Sequence, residues 1–78
     1  MTPAEFLCER HPASERAVVQ WQARLHGQFY TALWEALASA DDKNLARLEK
    51  GFPDEVAGLR SWRFGDLAER LRQLGLPV

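Results

Sequence analysis

Cysteine is nearly missing from these 78 residues. Cys8 stands alone, so no disulfide can close within the chain, and a reducing compartment fits. Charge of one sign is missing too. Ten basic side chains face eleven acidic ones, and a net of −1 offers no bulk field to nucleic acid or anionic lipid. No apolar run approaches the ~20 residues of a membrane span. The opening Met1-Thr2-Pro3-Ala4-Glu5 puts an acid where a secretory leader needs positive charge, and the expectation is a cytoplasmic protein. Low-complexity runs, linkers and internal repeats are absent, and 46% of the residues are hydrophobic, a composition that folds. One domain of this size buries only about 60% of its unfolded surface, which leaves a thin stability margin and little room for a catalytic cavity.

What the chain does have is aromatic mass, most of it between Arg16 and Ser39. At about 100° per residue, Val18, Trp21, Leu25, Phe29, Ala32, Leu33 and Ala36 share one stripe of an amphipathic helix. Val19, His26, Tyr30 and Leu37 lie beside it and Trp34 further round, leaving mainly Gln20, Arg24, Gln28, Thr31 and Glu35 for solvent. An apolar arc of roughly 200° exceeds a single core-facing stripe. It suits a central helix packed on two sides, or one offering part of its arc to another molecule. About 25 helical residues would span nearly 40 Å, against about 30 Å for a compact domain of this length. Gly27, about 1 kcal/mol worse than alanine in a helix, is the cheapest place for a bend or break; a second copy covering the overhang is the alternative. The expectation is one long central helix over about residues 14–39, with Gly27 the place for any bend.

Shorter helices flank it. Thr2, Pro3 and Glu5 read as N-cap, first helical residue and capping-box acid, opening a helix from about Pro3 to Arg10 that His11-Pro12 stops. Asp41 caps a helix that buries Leu45 and Leu48, with Gly51 as its left-handed stop and Phe52 folding back. Pro53, Asp54 and Glu55 start the next, over about Pro53 to Trp62, burying Val56 and Leu59. Asp66 with Glu69 reads as another capping box, before a Leu67, Leu71, Leu74 stripe that Gly75 and Leu76 end. The fold class is therefore all-α, a small bundle of about five helices in one domain, residues 1–78.

Phe29-Tyr30, Leu33-Trp34-Glu35-Ala36, Ala40-Asp41, Asn44-Leu45, Leu48 and Gly51-Phe52-Pro53-Asp54-Glu55-Val56 together resemble a pattern in small phage- and prophage-encoded proteins of unknown function. The resemblance implies an accessory protein in a bacterial cytoplasm and carries no catalytic residues to transfer.

Groups that could do chemistry have plainer explanations. Cys8 and His11 make half of a zinc-site spacing, with Glu5 or His26 as further ligands, but structural zinc wants four ligands, usually including two or more cysteines. Cys8 reads better as a small buried hydrophobe beside a solvent-facing His11. A Cys-His nucleophile lacks an orienting third group. His26, one turn before Tyr30, reads as a satisfied structural histidine, and Asp41-Asp42 as helix capping. No catalytic, cofactor-binding or metal-binding residues are predicted.

Three tryptophans, Trp21, Trp34 and Trp62, are many for so short a chain. Trp21 belongs to the main stripe and is expected in the core. Trp34 lies off it, and Trp62 ends a helix beside Arg60, Arg63 and Phe64; tryptophan, tyrosine and arginine are enriched in binding hot spots, and in a small domain they are also efficient core fillers. Tyr30, Trp34, Trp62 and Arg63 are thus the predicted partner interface of a non-enzymatic protein, the partner being another protein or a second copy in a homodimer. The rival is a helix-turn-helix DNA binder over Leu45 to Trp62. Asp54-Glu55 at the start of its second helix would repel phosphates, which disfavours nucleic acid.

Overall fold

Thr2 and Glu5 start the first helix as their types require. In the computed structural model, which describes all residues from Met1 to Val78, the Glu5 N–H donates to Thr2 Oγ1 at 3.2 Å. The Thr2 N–H donates to Glu5 Oε1 at 3.0 Å, completing a capping box on α1 (Pro3–Cys8). The bond from the Thr2 N–H, then that from Thr2's side chain, holds the Glu5 carboxyl below its ordinary value. This contribution is present above the ordinary carboxylate range and is lost as pH falls through the lowered value. Pro12 precedes α2 (Ala13–Gln22), and α3 spans Gln28–Ser39. Asp41 Oδ1 accepts the Asn44 N–H at 2.8 Å to cap α4 (Asp42–Glu49). Pro53 opens α5 (Pro53–Phe64), and α6 (Leu67–Gln73) completes six helices with no strand. No helix is long and apolar enough to cross a membrane.

The most extensive helix contact is between α2 and α5. Gly58 makes it possible. A Cβ at this buried glycine would overlap the Ser14 carbonyl oxygen and lie 2.9 Å from Val18 Cγ2, so only glycine lets the two backbones come this close. Val18 and Val19 of α2 and Val56 and Leu59 of α5 are buried around the crossing. Phe6, Leu33, Trp34, Leu37, Leu45, Leu67, Leu71 and Leu76 complete a core of twelve apolar side chains, with no buried polar or charged residue.

The expected rod over residues 14–39 is two helices. At Ala23–Gly27 the chain leaves α2 through a Schellman turn: the Leu25 N–H reaches the Gln20 carbonyl at 2.9 Å and the Arg24 N–H the Trp21 carbonyl at 3.1 Å. The break keeps the chain within a longest dimension of 35 Å, which a straight helix of about 40 Å would overrun. Folding back also resets the angular phase. Leu33, Trp34 and Leu37 of α3 face the core, whereas Leu25 and Phe29, on the expected stripe, are 52% and 66% exposed.

Smaller expectations change too. Gly51 is not left-handed; the only positive φ values are at Arg24 (58°) and Gly75 (84°). Between α4 and α5 the Phe52 N–H bonds Leu48 O at 2.9 Å in a helical pattern, and the chain runs directly into Pro53. Asp66 forms no capping box, because its Oδ1 accepts from Arg70 Nε at 3.2 Å. Cys8 is exposed, and His11 stacks on Phe6 with ring centroids 3.6 Å apart instead of facing solvent. Arginines close helix ends where no cap was legible. Arg16 Nη1 donates to the Leu7 and Glu9 carbonyls at 2.8 and 3.1 Å, and Arg63 Nη2 to the Ala38 carbonyl at 2.7 Å.

Gly58→Ala tests the crossing. Helix propensity alone favours alanine by about 1 kcal/mol, but the new methyl meets backbone that cannot yield. A net destabilisation of roughly 1–3 kcal/mol is expected in urea titration, and an equal or higher midpoint would contradict the close approach.

Candidate interaction surface at the helix elbow

The four residues predicted as an interface divide between inside and outside. Trp34 is 1% exposed, so it offers nothing to a partner; this corrects its assignment, and the phase reset at the elbow is the reason. Its indole stacks on Trp21, centroids 4.4 Å apart and planes within 2°, and Trp62 meets Trp21 edge-on at 5.1 Å. The three indoles come from α3, α2 and α5 and tie these helices together beside the Gly58 crossing. Trp62 is half-buried in this cluster. Arg63 is exposed but spends one guanidinium N–H on the last turn of α3. Of the four, Tyr30 alone is an aromatic that stays at the surface, 41% exposed.

Around Tyr30 the structure gathers side chains the wheel had placed in the core. Phe29 meets Tyr30 edge-on at 5.6 Å and tilts toward Phe52 at 6.3 Å, while Leu25 and Tyr30 line one cleft. Leu25, Phe29, Tyr30 and the partly buried Phe52 thus form an apolar patch at the α2–α3 elbow. Gly27 was the available signal: a break there uncouples the two halves of the wheel, and the residues just after it lose their assigned face.

Two shallow clefts flank His26. One, of about 380 Å³, has Gln20, Leu25, Tyr30 and Glu55 in its lining; the other, of about 420 Å³, has Arg24, Thr31 and Glu35. His26 Nδ1 lies 3.3 Å from Thr31 Oγ1, and Nε2 is buried without a hydrogen-bond partner. This is no activated nucleophile, because Thr31 Oγ1 also lies 3.2 Å from the Gly27 carbonyl it can donate to and no carboxylate orients the far side of the imidazole. No group of three or more His, Cys, Asp or Glu side chains converges anywhere. What the arrangement can do is present an apolar edge bordered by a few polar groups.

Comparison with protein families, with curated proteins and with solved structures found no match to this chain.

Two substitutions separate the roles of the aromatics. Trp34→Ala removes the stacked indole from the core and should cost about 3–5 kcal/mol, close to the whole stability of a small domain. Phe29→Ser should change stability by less than about 0.5 kcal/mol; calorimetric melts of the two variants that lose similar stability would contradict the division. Arg24 is a separate case, since a left-handed residue with a side chain is strained by roughly 1–2 kcal/mol. Arg24→Gly should raise stability by about 0.5–1 kcal/mol after glycine's greater unfolded entropy is subtracted, and a lowered urea midpoint would show the arginine side chain to be needed.

Proposed function

We propose that this is a non-enzymatic helical accessory protein that acts by protein–protein contact through the elbow patch of Leu25, Phe29 and Tyr30. The observation that carries the reading is exposure: these side chains are 52%, 66% and 41% exposed in a chain that seals Trp34 and Phe6 at 1%. Clustered exposed apolar groups rimmed by polar ones mark interaction surfaces, and an aromatic pair beside a leucine is the composition of a binding hot spot. The partner that fits is a protein presenting its own apolar helix face, because the patch runs from the elbow onto the first turn of α3 and carries Gln28, Thr31 and Glu35 beside it in place of a basic cluster.

The non-enzymatic part is supported by the lack of an oriented nucleophile–base pair at either cleft. A phage or prophage setting in a bacterial cytoplasm rests on the resemblance over Leu33 to Trp62. For DNA binding, no specific observation speaks in favour. The first turn of α5 carries Asp54 and Glu55 where a recognition helix would meet phosphate, and Arg63 is engaged with α3.

The test is capture from bacterial lysate with tagged wild type and with Phe29→Ser plus Tyr30→Ser, identified by mass spectrometry. A protein bound by the wild type and lost from the double variant, with matching circular-dichroism melts, is the expected result. Equal capture by both removes the patch from the function.

A further inference from the structure

We infer that the α2–α3 elbow is a hinge for domain exchange: two copies open at residues 23–27 and swap halves, each chain running α2 and α3 together as one helix. This goes beyond the patch reading, since it concerns the joint and holds whatever else docks on Phe29.

The stop at the elbow is made by main-chain bonds alone, a Schellman turn around a left-handed residue that is not glycine. Pro12 precedes α2, Asp41 caps α4, Pro53 begins α5, and Gly65 and Asp66 lie between α5 and α6. Ala23-Arg24-Leu25-His26-Gly27 contains no proline, and no side chain caps α3. The left-handed position that glycine normally takes is held by Arg24, at φ 58°. The N–H groups of His26, Gly27, Gln28, Phe29 and Tyr30 bond to no group of the chain, whereas in a continuous helix each would reach the carbonyl four residues back. A short strained hinge of helix-compatible residues is the setting in which exchange occurs.

The apolar pattern agrees. Trp21, Leu25 and Phe29 are spaced i, i+4, i+8, so straightening makes their stripe continuous, where now Leu25 and Phe29 face solvent. The straight helix overhangs a single 35 Å subunit, and the part beyond it is what a second copy covers. Exchange sets residues 1–22 of one chain against residues 28–78 of the other, so the Gly58 crossing and the stack of Trp21 on Trp34 re-form between chains. Nothing in the core is lost. Opening must break the α2–α5 crossing, so the two forms interconvert slowly enough to be separated.

The experiment is size-exclusion chromatography with light scattering on the full chain from micromolar to millimolar, repeated with Gly27→Ala and Arg24→Gly. Both sites are exposed, and a Cβ at Gly27 meets nothing within 4 Å. Alanine favours a helix over glycine by about fivefold per hinge, and a dimer holds two hinges, so Gly27→Ala should raise the dimerisation constant roughly 25-fold. Arg24→Gly should lower it. In the isolated dimer, the amides of residues 26–30 should exchange slowly, in contrast to the monomer. Monomer at every concentration for wild type and Gly27→Ala overturns the proposal. So does a dimer whose 26–30 amides still exchange fast, because that is association through the surface patch, which leaves the patch reading standing.

Discussion

The approach of α2 to α5 at Gly58 is the constraint from which the other placements follow. With no side chain at that position, the Ser14 backbone and Val18 sit directly against α5, and Val19, Val56 and Leu59 are sealed around the contact. A chain this short has few apolar residues to bury, so a crossing that wastes no space matters more than it would in a large domain. Trp21 and Trp62 leave the two crossed helices on the same side, and their indoles make the platform onto which Trp34 brings α3. α1, α4 and α6 add Phe6, Leu45, Leu67 and Leu71 at the margins.

That arrangement explains why the exposed apolar patch lies at the elbow. α3 is held mainly through Leu33, Trp34 and Leu37, with Arg63 on its last turn, so its first turn projects beyond the core with Phe29 and Tyr30 outward. Arg24 takes a strained conformation to make the reversal, and His26 Nε2 is left without a partner. Backbone strain of this kind is a physical ground for proposing a site of contact or rearrangement there.

Much of the fold was legible in the sequence because local chemistry wrote it. The Thr2–Glu5 box, the Asp41 cap, Pro53 at a helix start and Gly75 at a helix end all fall where residue type requires. Leu45, Val56, Leu59, Leu67 and Leu71 are buried as their spacing implies. The interface was less legible, and for one reason. A helical wheel assumes a constant phase, and the reversal at residues 23–27 carries neither proline nor a capping side chain to announce it. Trp34 was therefore placed outside and Phe29 inside, the reverse of the structure, while Tyr30, expected beside the stripe, is exposed. Arg63 could not be read as a carbonyl ligand of α3, since that contact spans 25 residues. Gly58, the residue on which most depends, looks in sequence like a mild flaw in a helix.

Residue-resolved hydrogen exchange across a denaturant series addresses the central claim most directly. The account predicts that the amides of α2 around Val18 and of α5 around Leu59 open together, only with global unfolding, and that the first turns of α3 open at lower free energy. α2 and α5 opening at clearly different free energies, or α3 protected as strongly as both, would contradict it.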